Sequence, residues 1–127
     1  QLGNSGGQKF WSWYGFESRV EWCACFASWC AEQSGMVASG QVLKFSSCAV
    51  GASWFQGQGR WKGKGYTPSA GDFIFFDWNK DGQVDHVGIV VNVANGRVNT
   101  IEGNTSNMVA RRSYQLGGIV IVGYGYI

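Results

Sequence analysis

The sequence contains little charge. Only 14% of its 127 residues are Asp, Glu, Lys or Arg, and the net charge is +2. Nucleic-acid binding is driven by clustered basic side chains, whereas the Lys and Arg residues here are scattered and no basic patch is interleaved with aromatic residues. No apolar run reaches the roughly 18 residues that a membrane span requires. The sequence therefore argues against both a nucleic-acid partner and a membrane partner.

The chain also lacks the residues of a zinc site. It has one histidine, His86, and its four cysteines contain no Cys-x-x-Cys pair. If Cys23 stays free for chemistry, at most one disulfide can form among the other three cysteines. Because Cys23, Cys25 and Cys30 crowd into one predicted helix, Cys30 with Cys48 is the favoured pair. The alternative is that all four thiols are reduced and three are small core residues.

Glycine and tryptophan are abundant instead, with 20 and 7 residues. They indicate a turn-rich, weakly charged domain with aromatic surface suited to sugar or peptide ligands. The length is that of one domain with one core, which we expect to be monomeric. Residues 1–10 are predicted to be a linker or the edge of a module excised from a longer multidomain protein, and residues 11–127 a single domain.

The order of the predicted elements indicates an α+β fold. Helical spacing of apolar residues predicts one helix over 22–34, with Gly35 as its stop signal, and a shorter helix over 47–56. Repeated glycines predict a loop over 57–65. Beyond it, β-branched and aromatic residues between turn signals predict five strands, over 72–78, 84–93, 97–102, 108–114 and 119–126.

Cys23 lies where an irregular segment gives way to the first predicted helix. Unpaired N–H groups and the positive end of the helix dipole favour a thiolate there, and cysteines in such places have pKa values of about 3.5 to 7.5 instead of about 8.5. A short hairpin brings Glu102 near His86. These three residues form a candidate Cys-His-acid hydrolase site.

Four motifs then follow one another along the chain: VEWCACFASWC at 20–30, SAGDFIFFDW at 69–78, DHVGIV at 85–90 and TIEGN at 100–104. Together they resemble the CHAP domain family, the cysteine- and histidine-dependent amidohydrolases and peptidases of the NlpC/P60 superfamily. The resemblance extends over about residues 11–124. It implies a papain-like fold, in which an N-terminal nucleophile helix packs on a C-terminal antiparallel five-stranded half-barrel.

The resemblance also implies roles for individual residues. By similarity Cys23 is the nucleophile, His86 the base, Glu102 the group that orients the imidazole and Asn104 a further polar member of the site. The thiolate would attack an amide carbonyl, the imidazolium would protonate the leaving amine, and water would cleave the acyl-enzyme.

Two details of this site stay open in the sequence. The Cys23 N–H would bind the oxyanion with one further donor, for which Tyr14 and Gln8 are candidates. Cys25 departs from the common family pattern and leaves open which thiol reacts. Because residues two positions apart on a helix differ by about 200°, only one of the two cysteines can meet His86.

A second motif directly precedes His86. Oxygen side chains occupy the first, third, fifth and ninth positions of the loop, with glycine at the sixth, as in calcium loops; they are Asp77, Asn79, Asp81 and Asp85. The Glu at the twelfth position of an EF-hand is missing. The loop is therefore either a structural Ca²⁺ site or a polar hairpin turn, and the sequence slightly favours the turn. No cofactor is expected for the chemistry.

Several aromatic residues lie in the least regular parts of the chain. We take four of them as candidate substrate-binding residues for a glycan or stem peptide: Trp13, Tyr14, Trp54 and Trp61. The alternative is that these rings cover the core above the Gly-rich loop.

The hairpin that carries His86 and Glu102 needs a particular register. Asn95 and Gly96 favour a two-residue turn, but that register, if continued, would place Glu102 on the opposite face from His86. A one-residue bulge corrects it. We predict a bulge at Gly96, in a three-residue connection, or an equivalent bulge elsewhere in the hairpin.

The resemblance implies a peptidoglycan hydrolase, either an endopeptidase or an N-acetylmuramoyl-L-alanine amidase. Such an enzyme would act outside the cell or in the cell wall, as a secreted autolysin or a phage endolysin. Two alternatives stay open. One is a papain-like hydrolase or acyltransferase with another substrate, and the other is a glycan- or peptide-binding module that keeps the fold without activity.

Overall fold

The computed structural model describes residues 2–127, so the first residue of the linker predicted over 1–10 lies outside the described residues. Three helices come first: α1 (Gln8–Tyr14), α2 (Cys23–Gln33) and α3 (Cys48–Gly57). The strands follow: β1 (Trp61–Gly63), β2 (Phe73–Phe76), β3 (His86–Ala94), β4 (Arg97–Thr105), β5 (Met108–Gln115) and β6 (Ile121–Gly125). This order confirms the predicted α+β class.

The described strands form one open antiparallel sheet of six strands, in the order β1-β6-β2-β3-β4-β5. The prediction of five strands is therefore one short. The missing strand, β1, has three residues in the Gly-rich segment predicted as a loop, and it is a strand because it pairs with residues 123–125 of β6. Its sequence is too short to show alternation.

The stretch expected to be a linker packs against the domain. The backbone of Gly3 pairs with that of Val109 in β5 through hydrogen bonds of 2.9 and 2.7 Å. Phe10, in α1, is fully buried and stacks on Trp22 with a centroid distance of 5.6 Å. The sequence gives little sign of α1 because this helix has seven residues and no capping side chain at Gly7.

Helix α2 packs on β3 and β4, which fixes its first turn above the strands that carry His86 and Glu102. Gly103 permits this close approach, since a Cβ atom there would lie 2.4 Å from the Cβ of Phe26. Among residues 2–127, no helix has the length and apolar character needed to cross a membrane.

Helix α3 is held beside the start of α2 by a buried tether. The Ser28 hydroxyl donates to the carbonyl oxygen of Phe45 at 2.7 Å and accepts from its N–H at 2.9 Å. Two residues later, Ser47 caps α3 by accepting from the Val50 N–H at 3.3 Å. Cys48, the first residue of α3, is thereby placed against the first residue of α2.

Candidate active site

Cys23 is the first residue of α2, where the sequence places it. Trp22, the preceding residue, offers no side-chain cap, so first-turn N–H groups stay available to a ligand. The Cys23 side chain is buried at the bottom of a groove of about 570 Å³, a size that suits a small peptide or sugar. The groove is lined by Glu21, Cys23, Trp78, Asp85, His86, Asn104, Thr105 and Ser106.

The Cys23 and Cys48 thiols form a hydrogen bond with each other, and the His86 ring and the Val87 backbone N–H also favour the ionised form of the Cys23 sulfur. The contact with Cys48 is the largest contribution, and its Sγ–Sγ distance is 3.3 Å. Burial opposes ionisation. The hydrogen bonds and the positive charge of His86 outweigh it and hold the pKa of Cys23 well below its usual value.

His86 is the first residue of β3 and lies between Cys23 and Glu102. Its Nε2 atom is 2.8 Å from Oε1 of Glu102, which leaves Nδ1 for the Cys23 sulfur. Burial lowers the pKa of His86, but the hydrogen bonds and charges of Cys23 and Glu102 outweigh it and raise the pKa to about 9. At neutral pH the geometry therefore favours an imidazolium beside a thiolate.

Glu102 in β4 is fully buried and has three side-chain partners. Oε1 faces His86, while Oε2 accepts from the Thr100 hydroxyl at 2.5 Å and from the Tyr114 hydroxyl at 2.7 Å. Gly88 leaves room for the carboxylate, since a Cβ atom there would lie 2.6 Å from Cγ of Glu102. Burial and then the Glu102 charge raise the pKa of Tyr114, so its hydroxyl keeps the proton that it donates.

Thr100 and Tyr114 were not predicted from the sequence. Thr100 could have been found, because residues two apart on one strand share a face. Tyr114 is on β5 and pairs with Val98, which also shares the face of Glu102. To predict the position of Tyr114, one must know the register between β4 and β5, and a bulge between Glu102 and Thr105 shifts that register.

The hairpin register confirms the predicted bulge and locates it. Ala94 pairs with Arg97 across a two-residue turn, so the alternative of a bulge at Gly96 is wrong. Both turn residues, Asn95 and Gly96, have positive φ, as a type I′ turn requires. The register shifts instead between Val90 and Asn92. On the side of this shift that is away from the turn, Ile89 pairs with Ile101. Glu102 consequently lies on the same face as His86.

Asn104 lines the groove but forms no hydrogen bond with His86. Its Nδ2 atom donates to Glu21 at 2.5 Å, and its Oδ1 atom accepts from Arg19 at 2.9 Å. Arg19 also donates to Oδ1 of Asn107. These contacts tie the segment before α2 to the end of β4, so the place of Asn104 in the site is at the rim.

The aromatic residue of the groove is Trp78, which is 43% exposed. Its ring stacks on Phe76 at 4.8 Å and lies 5.9 Å from that of His86.

The four aromatic residues predicted to bind substrate do not line this groove. Trp13 and Tyr14 contact the Lys44 ammonium group, at 4.6 and 4.7 Å, while Trp54 packs on Phe55 and Trp61 on Phe75. Binding of substrate by these four rings stays a prediction, because long-range packing and not local sequence decides which rings reach a groove. Neither of the predicted oxyanion donors, Tyr14 and Gln8, lines the groove.

The oxygen atoms of the 77–85 loop accept hydrogen bonds from the loop's own backbone. Asp77 accepts from the N–H groups of Asp81 and Gly82, and Asn79 also accepts from that of Asp81. Asp85 accepts from the N–H of Trp78 through both oxygens, at 3.1 and 3.0 Å. Within residues 2–127, no three His, Cys, Asp or Glu side chains are grouped as metal ligands. A polar turn makes such contacts, and binding of Ca²⁺ by these oxygens stays a prediction.

The predicted pairing of Cys30 with Cys48 is not formed, and all four thiols are free. Cys48 lies in the core between α2, α3 and the sheet, while Cys30 packs against the cluster around Phe10 and Trp22. Cys25 is fully buried in that second cluster. Burial raises the pKa values of Cys25 and Cys30 to about 11, so the structure favours Cys23 as the reactive thiol.

Comparison with known proteins agrees with this geometry. Two solved structures share the fold, each with a TM-score of 0.56: Ly7917 with the hydrolysing product of MDP, at 22% identity, and Ly7917, at 20%. The alignments cover 80% of this chain but 52% and 51% of those chains, so the chain spans about half the length of the structures it matches. Comparison with curated proteins gave no match.

A family comparison identifies the domain. The CHAP domain model matches residues 13–104, a segment that includes Cys23, His86, Glu102 and Asn104. The match covers well over half of the chain, and it agrees with the family that the four sequence motifs resemble. The chain therefore belongs to the CHAP domain family.

Proposed function

We propose that the chain is the catalytic domain of a cell-wall hydrolase that cleaves an amide bond of peptidoglycan through an acyl-enzyme on Cys23. The observation that supports this most strongly is the line of contacts from Cys23 through His86 to Glu102, at the bottom of an open groove. Membership of the CHAP family supports hydrolysis. Similarity to Ly7917, solved with the hydrolysing product of MDP, supports the substrate class.

In this mechanism the Cys23 thiolate attacks the carbonyl carbon, and negative charge develops on the carbonyl oxygen near the first turn of α2. The free N–H groups of that turn and the positive end of the helix dipole stabilise the charge. As the tetrahedral intermediate collapses, Nδ1 of His86 gives its proton to the leaving amine and the C–N bond breaks. The first product is an amine, and the acyl group stays on sulfur.

Water completes the cycle. His86, now neutral, removes a proton from water, the hydroxide attacks the thioester, and Cys23 leaves as the thiolate. Glu102 holds Nε2–H throughout, which keeps Nδ1 directed at the sulfur and stabilises the imidazolium whenever it forms. An endopeptidase and an N-acetylmuramoyl-L-alanine amidase would both follow this course, because each cleaves an amide.

The groove adds two recognition elements. Trp78 offers an exposed aromatic surface beside His86, on which a sugar ring or an apolar stem-peptide side chain can pack. Glu21 and Asp85 bring carboxylates to the same groove and favour polar N–H groups or a cation on the substrate. We propose that the domain acts outside the cell or in the wall, where this polymer lies.

The test uses purified peptidoglycan and three proteins: the unmodified chain, Cys23→Ala and Cys30→Ala. We expect the unmodified chain and Cys30→Ala to release soluble fragments at rates within about tenfold of each other, and Cys23→Ala to release none, because only Cys23 has a stabilised thiolate. Mass spectrometry of the fragments distinguishes a stem-peptide cut from a cut at the muramic acid amide. Equal melting temperatures show that the variants are folded.

The alternatives give different results. A binding module would bind peptidoglycan and release nothing, and a hydrolase with another substrate would show a fast Cys23 alkylation without releasing fragments. Fragment release by Cys23→Ala at the normal rate would refute the proposal.

A further inference from the structure

Cys48 is a second thiol in contact with the Cys23 sulfur, and the mechanism above makes no use of it. The Sγ–Sγ distance of 3.3 Å is within hydrogen-bond range for sulfur, and both side chains are buried. The contact joins the first residues of two helices, α2 and α3. The Ser28 tether to Phe45 and the Ser47 cap fix the approach to α3, so Cys48 is held in place from its own side.

The surroundings of the two sulfurs decide which one keeps the proton. Two thiols in direct contact do not both ionise near neutral pH, because the second negative charge would lie beside the first. Only Cys23 also has the His86 ring and the Val87 N–H beside it, and both lower its pKa. Cys48 instead lies near the negative charge of Asp85, and the Cys23 contact raises its pKa above the usual value. The proton therefore stays on Cys48.

We propose that Cys48 is a positioning residue of the active site, whose thiol donates a hydrogen bond to the Cys23 thiolate and holds that sulfur both ionised and oriented. This inference rests on the proposed role of Cys23 as nucleophile. The groups that favour the ionised Cys23 sulfur come from two elements: α3 supplies Cys48, and β3 supplies the side chain of His86 and the backbone N–H of Val87.

A purely structural role makes a different prediction. Buried free cysteines commonly serve as small apolar residues, and in that case only the volume at position 48 would matter. Serine and alanine separate the two roles, because they differ by one hydroxyl group. Serine keeps a donor at the same place, and alanine has none.

The experiment measures the pH dependence of Cys23 alkylation by iodoacetamide, followed by mass spectrometry of the peptide that contains Cys23. Four proteins are compared: the unmodified chain, Cys48→Ala, Cys48→Ser and, as the matched control, Cys30→Ala, which removes a thiol with a separate packing environment. We expect Cys48→Ala to move the midpoint upward by about one pH unit, the size of a lost hydrogen bond to a charged group. Cys48→Ser and Cys30→Ala should keep the midpoint of the unmodified chain or, for serine, lower it.

An unchanged midpoint in Cys48→Ala would overturn the inference, and so would an equal upward shift in Cys48→Ser. If Cys48→Ala fails to fold, the comparison of Cys48→Ser with the unmodified chain decides, since an upward shift there contradicts a donor role. Alkylation needs no peptidoglycan. Failure of the proposed function would instead appear as the absence of fragment release, or as release by Cys23→Ala, whatever the alkylation midpoints are.

Discussion

Two polar clusters border the same groove but differ in their surroundings. The His86–Glu102 pair is buried, with Glu102 fully enclosed and bonded to three side chains. The cluster of Arg19, Glu21 and Asn104 lies at the rim, and the side chains of Arg19 and Glu21 are 45% and 80% exposed. A buried charge depends on every partner it has, whereas an exposed pair is exchanged readily for water. We therefore expect substitutions in the first cluster to have much the larger effects.

Within these two clusters, the largest effect is expected for Glu102→Gln. The amide has nearly the shape of the carboxylate but no negative charge, so it can no longer stabilise the imidazolium of His86 or enforce one tautomer. We expect kcat/KM on peptidoglycan fragments to fall roughly a thousandfold. A loss of less than about tenfold would show that Glu102 has no part in the mechanism.

The pH profile gives an independent readout of the same substitution. Activity should rise as Cys23 ionises and fall as the His86 imidazolium loses the proton that the leaving amine needs, with the basic limb near pH 9. Hydrogen bonding and charge from Glu102 both raise the pKa of His86. Their loss in Glu102→Gln should therefore move the basic limb to lower pH, and a limb that stays in place would contradict this account.

An intermediate effect is expected for Tyr114→Phe, which removes one donor from Glu102 and keeps the aromatic ring. We expect the free energy of unfolding to fall by about 1 to 3 kcal/mol, because a buried charged acceptor loses a partner. The matched control is Tyr126→Phe, whose hydroxyl bonds the Gly59 carbonyl at the exposed surface. Urea unfolding measures both variants, and equal losses would mean that burial of the Tyr114 contact adds nothing.

The sequence predicted the parts of the site that local patterns determine. The start of the predicted helix α2 locates Cys23. The two-residue alternation of side chains along the strands, together with one bulge, locates Glu102 beside His86, so Cys23, His86 and Glu102 could be predicted. Cys48 and Trp78 could not be assigned to the groove in the same way. The position of Cys48 depends on how α3 is tethered to α2 through Ser28, a contact between residues distant in sequence.

Substitution in the rim cluster should change stability and activity less than substitution in the buried cluster. Arg19→Ala removes the donor to Asn104 and Asn107 from an exposed position. We expect the melting temperature to stay within about 3 °C of that of the unmodified chain, since exposed pairs contribute about 0 to 1 kcal/mol, and kcat to be nearly unchanged. Any effect should appear in KM and diminish at high salt. A hundredfold loss of kcat would show that the rim cluster shapes the catalytic geometry, and that the buried and exposed clusters do not differ in importance as expected.

The smallest effect is expected at the 77–85 loop, which the sequence predicts to be either a polar turn or a calcium site. Asp77, Asn79 and Asp81 close the turn by accepting backbone N–H groups, which hold the loop from within. We expect a chelator to leave the melting temperature unchanged. Asp81→Asn sharpens the test, because it keeps an oxygen for the Gln83 N–H while removing a charge that Ca²⁺ would need. The opposite result would be a melting temperature that falls on chelation, is restored by added calcium, and no longer responds to the chelator in Asp81→Asn. That result would show that this loop binds calcium and orders His86 through it.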